Sequence, residues 1–332
     1  MLELVENIIE ILLSGAVYAV ALVISLWTAG AIFYDLGGGK MLGWVLMIAW
    51  LTAVVAAFAC LQALWQPFLL LLIVFGFFIS WWRSQKPSHH RNWNPNFAVL
   101  PRIAIEGDSV TVQNVRNTEY RTLEDFSPRY ETRQYRLSRL VGIDAIVVYW
   151  GSAWISHPML IFDFGEDGRI CFSIEVRYRQ GQKYGFLRSL YRQQEIVYLI
   201  SDERDAILKR SKYSKNHDVY LYRLKAAPEE IQRVFLEYVV STNDLADSPR
   251  WYNGLTTNCT TSIYRQRADQ VEWDWRWLFN GRLDQMIYEH GRLNAELPFE
   301  ELRQKSWVND IANNADAEDF GDQIRRELSA YV

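Results

Sequence analysis

The chain has 332 residues, a net charge of −4 and three cysteines. That length gives room for one sizeable globular domain and an accessory region. The charge balance, with no long basic tract, argues against nucleic acid as a partner, and an odd number of cysteines does not form a disulfide framework. Fourteen Trp and eighteen Tyr suit a protein that works at a membrane surface, although an aromatic-rich soluble core would also account for them.

Residues 1–83 have the composition of a membrane region. No charged residue occurs from Ile11 to Tyr34 or from Met41 to Trp82. Because a spanning helix needs about 20 apolar residues, the first run predicts one span and the second, interrupted at Gln66-Pro67, predicts two. The acidic N-terminus argues against a cleaved signal peptide. The predicted spans are 10–34, 41–61 and 66–82.

The charges that flank the spans leave their orientation undecided. By the positive-inside rule, the basic residues nearest the spans favour a cytoplasmic location for the segment after Trp82; they include Lys40, Arg83 and Lys86. A large folded domain can, however, be exported regardless of such charges. Residues 84–101 are polar and punctuated by proline, which predicts a linker. Its His89-His90 pair has no further ligands at metal-binding spacing, so we expect no metal site there.

Residues 102–280 have the pattern of an α+β domain. Alternating or apolar runs predict strands, two of which are joined into a hairpin by a Gly/Asp turn. A helix is predicted to open at Pro228, followed by two glutamates. We expect a polar, helical tail at 281–332. The predicted strands are 110–112, 143–150, 154–164, 169–177, 195–200 and 218–224.

The stretch from Thr256 to Ile263 carries one cysteine among small polar residues. Asn258 or a nearby Thr is a good helix N-cap. A cysteine in the first turn of that helix would meet the positive end of the helix dipole, which favours the nucleophilic thiolate. The alternative is that Cys259 is a small buried hydrophobic residue, the common fate of a lone cysteine.

His157 and Glu175 are the residues that could complete a thiol-based site. His157 is predicted to lie at the start of the first strand of the hairpin and Glu175 on the second. A carboxylate among apolar strand residues needs a partner, which could be His157 or, alternatively, Arg177 or Arg179. A cysteine nucleophile needs an acid–base group and a third group to orient it. The order His, acid, Cys is the reverse of the papain arrangement and is expected for a circularly permuted papain-like core.

Several motifs occur in an order that resembles the Lnb N-terminal periplasmic domain family, long catalogued as a domain of unknown function. The resemblance covers about residues 100–270. The family takes its name from a lipoprotein intramolecular transacylase, which moves an acyl chain onto the terminal amine of a lipoprotein with a Cys/His pair. The motifs are Val115-Arg116-Asn117, Tyr120-Arg121, Asp125-Phe126, Trp150-Gly151-Ser152, Ile155-Ser156-His157, Phe172 to Arg177, Asp202 to Asp205, Asp218 to Tyr222 and Tyr252 to Thr260.

The resemblance implies a permuted papain-like (NlpC/P60-like) α+β domain with an antiparallel sheet, facing the periplasm behind several spans. Cys259 would be the nucleophile and His157 the base, while Glu175 as third member is inferred from strand pairing. Positioning of substrate is assigned to residues within or beside the motifs. Relatives with three spans carry basic residues between the second and third, whereas 62–67 is uncharged here, which weakens the topology inference. The positioning residues are Arg116, Asn117, Ser152 and Asn258.

These features predict a membrane-anchored cysteine acyltransferase or hydrolase in the bacterial inner membrane, with a lipid or lipoprotein as substrate. One alternative is a peptidoglycan peptidase or amidase, because papain-like folds share the same pair of residues. Another is a non-catalytic, membrane-anchored binding module in which Cys259 and His157 are core residues. No cofactor and no metal is expected.

Overall fold

The computed structural model describes residues 2–266, 274–279, 281–293 and 296–326. The chain divides into two compact units. The first comprises Met1–Ser88 together with the excursion Tyr184–Gln194, and the second comprises His89–Lys183 and Glu195–Val332. Residues 327–332 of the predicted tail lie outside the described residues.

Three long helices form most of the first unit, and each is long and apolar enough to cross a membrane. The first begins at Leu2, earlier than expected, because the glutamates near the N-terminus are good helix formers and are exposed. Pro67 lies in the first turn of the third helix, where no backbone hydrogen bond is lost. The helices are α1 (Leu2–Ala31, continued by a π-helix at Ile32–Leu36), α2 (Met41–Cys60), α3 (Trp65–Ser84) and the short α4 (Phe186–Ser189).

The second unit is a mixed α+β fold. Its strands are β1 (Arg102–Glu106), β2 (Ser109–Arg116), β3 (Glu119–Tyr120), β4 (Phe126–Ser127), β5 (Tyr130–Arg136), β6 (Gly142–Trp150), β7 (Ser156–Asp163), β8 (Arg169–Arg177), β9 (Glu195–Ser201), β10 (His217–Arg223) and β11 (Arg250–Trp251). Its helices are α5 (Glu203–Ser211), α6 (Pro228–Asp247), α7 (Cys259–Gln266), α8 (Arg276–Phe279), α9 (Leu283–Glu289), α10 (Phe299–Ser306), α11 (Asn309–Asn314) and α12 (Phe320–Gln323).

Nine of these strands form one sheet in the order β1-β2-β9-β8-β7-β6-β10, with β5 paired to β2 and β11 to β9. The pairings are antiparallel except for that of β2 with β9, where Arg116 lies beside Ser201. The expectation of an antiparallel sheet is therefore wrong at this point. The two strands are far apart in the sequence and no hairpin joins them, so nothing local forces an antiparallel pairing.

The β7–β8 hairpin sets the geometry of the central strands. Its turn uses Gly165 and Gly168, whose φ angles of 59° and 94° lie in the region that favours glycine. The turn fixes a register in which Met159 lies opposite Ser173. The predicted hairpin is confirmed, and its alternation places Cys171, Ser173 and Glu175 on one face of β8.

Helices cover both faces of the sheet. On one face, α6 packs its apolar stripe, including Phe235 and Tyr238, against Phe162 and Phe172. On the other face, α5, α11 and α12 enclose Ile161 and Cys171. At the end of the sheet formed by β6 and β10, helices α9 and α10 pack on these two strands.

Candidate functional site

The N-terminus of α7 is built by a local polar network. The Asn258 Oδ1 atom accepts a hydrogen bond from the Thr261 backbone N–H at 2.8 Å, and the Thr261 hydroxyl accepts one from the Asn258 N–H at 2.9 Å. These reciprocal bonds satisfy backbone donors that the first helical turn leaves unpaired. The predicted cap is therefore confirmed. Cys259 is the first residue of the helix, and only 6% of its surface is exposed.

The register of the hairpin brings His157 and Glu175 together. Continuing the β7–β8 pairing by two residues beyond Met159 and Ser173 sets these two side chains opposite each other. The His157 Nε2 atom lies 3.2 Å from a Glu175 carboxylate oxygen, and both side chains are largely buried. Of the three partners considered for Glu175, the structure therefore selects His157 over Arg177 and Arg179. Arg177 bonds elsewhere, donating to the carbonyls of Phe97 and Ala98.

Two further residues, missed in the sequence, complete this buried network. The Ser173 hydroxyl donates to Glu175 Oε1 at 2.6 Å and lies 2.8 Å from His157 Nε2. Arg210, on α5, donates to the same carboxylate oxygen at 2.5 Å. Ser173 could have been found from the alternation of β8, because it precedes Glu175 by two residues. No local signal points to Arg210, since its contact depends on how α5 packs.

Charges in the network determine the protonation state of His157. Burial alone would lower its pKa, but the Glu175 carboxylate and hydrogen bonds to Cys259 and Glu175 outweigh burial and raise the pKa to about 9. Burial would raise the pKa of Glu175, yet His157 and Arg210 hold it well below its usual range. At neutral pH the pair is therefore an imidazolium and a carboxylate, with Cys259 hydrogen-bonded to the imidazolium.

Aromatic rings border the histidine. The Trp150 ring is stacked near His157, with centroids 6.2 Å apart, and near His217, with centroids 6.0 Å apart. Trp150 is 41% exposed, so this is where the His157 end of the site approaches the surface. Burial, then Arg210 and His157, lower the pKa of His217, which therefore differs from His157 in charge at neutral pH.

The structure places the four predicted positioning residues in different surroundings. Asn258 adjoins Cys259 and caps its helix. Arg116 is fully buried and forms a bidentate ion pair with Asp205, at 2.6 and 3.0 Å, so its main contact is structural, although Glu175 is close enough to help raise its pKa. Asn117 donates to Glu131 at 2.6 Å, and Ser152 accepts from the Trp154 N–H at 3.2 Å. The described contacts of Asn117 and Ser152 do not reach His157 or Cys259.

A second basic side chain lies near the carboxylate. Lys209 is half-buried, and its ammonium group lies 5.2 Å from the centre of the Phe97 ring. Burial and the nearby Arg116 lower its pKa to about 7, against the opposing attraction of Glu175. Lys209 is thus poised between charged and neutral forms at physiological pH.

A cavity of about 640 Å³ lies between the sheet and helices α6 and α9. Cys259 and His157 do not line it. Pro158, which follows His157, and Ile263, one helical turn after Cys259, do. Most of its lining is apolar, including Ile143, Val147, Leu160, Val234 and Met286, and its ionisable members are Lys225, Glu230, Glu289, His290 and Arg292.

The family model described as the Lnb N-terminal periplasmic domain matches residues 126–275. The resemblance drawn from the motifs is therefore confirmed for that segment, which contains His157, Ser173, Glu175 and Cys259. No curated protein and no solved structure matches the chain. Together with the three apolar helices, the match to this family model indicates a membrane-anchored protein.

Proposed function

We propose that this chain, whose residues 126–275 match a periplasmic domain family, is a multi-pass bacterial inner-membrane cysteine acyltransferase or hydrolase. The observation that carries the proposal is the buried line from Cys259 through His157 to Glu175. A helix N-terminus, an imidazolium and a carboxylate meet there, which is the composition that a thiol nucleophile requires. The permuted papain-like arrangement is part of this proposal.

The roles follow from the two ring nitrogens of His157. Its Nε2 atom faces Ser173 and Glu175, which leaves Nδ1 for the sulfur of Cys259. The imidazolium stabilises the thiolate, and Glu175 holds the ring and stabilises its charge. Asn258 keeps the first turn of α7 in place, so that its backbone dipoles point toward the oxygen that becomes negative during attack.

The reaction takes place in two halves. The Cys259 thiolate attacks the carbonyl carbon of an ester or amide, a C–S bond forms, and the bond from that carbon to its leaving oxygen or nitrogen breaks. The proton on His157 passes to the leaving group. In the second half an amine or water attacks the thioester and gives its proton to His157, and the C–S bond breaks to restore the pair.

The nearby cavity favours a substrate with an apolar chain, such as a lipid or lipoprotein, over the peptidoglycan peptide of the alternative reading. A pocket of about 640 Å³ with a mainly apolar lining suits an apolar ligand with a few polar contacts. Its edge at Pro158 and Ile263 adjoins the segments that carry the proposed base and nucleophile. The apolar helices would keep the domain beside such a substrate.

The test is mass spectrometry of Cys259 after the full chain has been incubated in membranes that contain lipoprotein. We expect an acyl adduct on the Cys259 peptide that is released by hydroxylamine. Cys259→Ala should lack the adduct, whereas Cys171→Ala should retain it. If the wild-type chain carries no adduct and instead cleaves peptidoglycan fragments, the peptidase alternative replaces the proposal. If His157→Gln forms the adduct as fast as wild type, the assigned base is wrong.

A further inference from the structure

The excursion Tyr184–Gln194 leaves the sheet after β8, joins the unit of membrane helices and returns to β9. Its inner side is held tightly by those helices. The Tyr191 ring packs near Tyr34, with centroids 5.2 Å apart, and near Trp27, at 6.3 Å. A Cβ atom on Gly30 would lie 1.8 Å from the Tyr191 hydroxyl, so any larger residue there would displace the Tyr191 ring.

Polar contacts fix the same segment at the ends of α1 and α3. The Asp35 carboxylate accepts hydrogen bonds from the Gln193 side chain at 2.7 Å and from the Trp82 indole at 2.7 Å. The Arg192 guanidinium lies 4.1 Å from the centre of the Trp82 ring and donates to the Arg83 carbonyl at 3.0 Å. Trp82 and Arg83 end the third apolar helix, where aromatic and basic side chains mark a membrane–water boundary. The excursion therefore lies at the level of that boundary.

Its outer side carries large apolar side chains. Tyr184, Phe186 and Leu187 are 44%, 52% and 63% exposed. Three such residues in four positions form a continuous apolar tip on the excursion. Within 178–194 there are four Lys or Arg and no Asp or Glu, namely Arg179, Lys183, Arg188 and Arg192.

We infer that Tyr184–Gln194 is an interfacial membrane segment, with Phe186 and Leu187 inserted among lipid chains and Arg188 at the level of anionic headgroups. Aromatic and aliphatic side chains beside basic ones are the composition of interfacial segments. Each inserted side chain gains free energy by leaving water, and each basic residue is attracted to an anionic surface. This inference does not depend on chemistry at Cys259.

Photo-labelling of the wild-type chain tests the inference. The full chain is placed in vesicles of phosphatidylethanolamine and phosphatidylglycerol that contain a phospholipid with a diazirine near the top of one acyl chain. Label is then mapped by peptide mass spectrometry after irradiation. Val141 and Val240, which are 63% and 59% exposed in the other unit, are the matched controls. We expect Tyr184–Leu187 to carry about tenfold more label than either control, a ratio that burial of one such side chain is sufficient to produce.

A variant separates insertion from chance contact. Phe186→Ser with Leu187→Ser should lose most of the label in the excursion, while label on α2 stays unchanged because the helices are untouched. Label on the three helices without label on the excursion would overturn the inference. Label on neither would also overturn it, since the whole unit would then lie outside the lipid.

Discussion

Two of the three cysteines lie buried in the same α+β unit, and their surroundings differ in kind. Cys171 lies on β8, enclosed by Ile161 and helix α5, and burial raises the pKa of its thiol well above the usual value. Cys259 begins a helix and bonds an imidazolium. Both thiols are buried, and they differ in the charged groups that they meet, which is the difference on which the proposed nucleophilic role of Cys259 rests.

Replacing His157 should reduce the difference in reactivity between Cys259 and Cys171 more than any other substitution. In wild type we expect iodoacetamide to alkylate Cys259 at pH 7 much faster than Cys171. His157→Gln should slow the reaction of Cys259 by about 10²-fold or more, the lower end of what a positioned acid–base group contributes. Peptide mass spectrometry reports both cysteines in one sample, so Cys171 is the internal control. Equal, slow labelling of both cysteines in wild type would favour the non-catalytic binding module.

Removing the carboxylate should destabilise the fold around Cys259. Glu175→Gln leaves Arg210 and His157 buried without their anion, and breaking such a pair costs about 3–5 kcal/mol. The free energy of unfolding is measured by chemical denaturation of the detergent-solubilised chain. Glu166→Gln is the control, because its ion pair with Arg139 is exposed and should contribute less than about 1 kcal/mol. Equal losses in the two variants would mean that Glu175 is not a structural anion of the site.

The stability of the pair should have a defined pH window. The pKa of His157 is raised to about 9 from 6.5, so its contribution is complete below pH 6.5 and is lost as pH rises through about 9. The pKa of Glu175 is lowered from 4.5, so its contribution is present above pH 4.5 and is lost as pH falls further. Denaturation midpoints from pH 2 to 10 should show both limbs. In His157→Gln the loss near pH 9 should disappear; its persistence would assign that limb to another group.

Ser173 should affect orientation more than charge. Ser173→Val removes the hydroxyl that contacts both His157 and Glu175, and loss of the hydrogen bond that orients the His157 ring costs about 1 kcal/mol. That cost corresponds to about fivefold slower alkylation of Cys259. Glu175 still faces Nε2 at 3.2 Å, so the pH midpoint of alkylation should not move. Ser173→Thr restores the hydroxyl and should restore the rate; if Thr behaves like Val, a packing role accounts for the effect.

The smallest effect is expected at the helix cap. Asn258→Ala removes the acceptor for the Thr261 N–H and should cost about 1 kcal/mol of stability, with a modest loss of Cys259 reactivity. Asn258→Asp keeps the acceptor and should keep most of both. Denaturation and alkylation are measured together. If Asp is as harmful as Ala, the bond from the Asn258 amide to the Gly254 carbonyl matters more than the cap.

Local patterns predicted much of this site. The Gly/Asp turn and the flanking apolar runs predicted the β7–β8 hairpin, and alternation along it brought Glu175 opposite His157. Polar residues before Cys259 predicted its place in the first turn of a helix. These features depend on neighbours in the chain or on one short turn, so a single sequence is sufficient to predict them.

Contacts between residues far apart in the sequence could not be predicted from these local patterns. Arg210 reaches Glu175 across 35 positions, and the parallel contact of β2 with β9 joins strands that no local turn relates. No local pattern pointed to the excursion at Tyr184–Gln194, because its contacts are with helices more than a hundred positions away. Arg116 and Asn117 are predicted to position substrate, and their described partners include Asp205 and Glu131, which no local pattern relates to them.

The order of the site residues along the chain determines when each of them becomes available during synthesis. His157 and Glu175 are made close together, whereas Cys259 follows His157 by 102 positions. At synthesis rates of about 5–20 residues per second, the thiol emerges roughly 5 to 20 seconds after its acid–base partner. A chain stopped before α7 would carry the charged pair but no nucleophile. In the proposed site, the order of residues along the chain thus adds the nucleophile only after the central strands have been made.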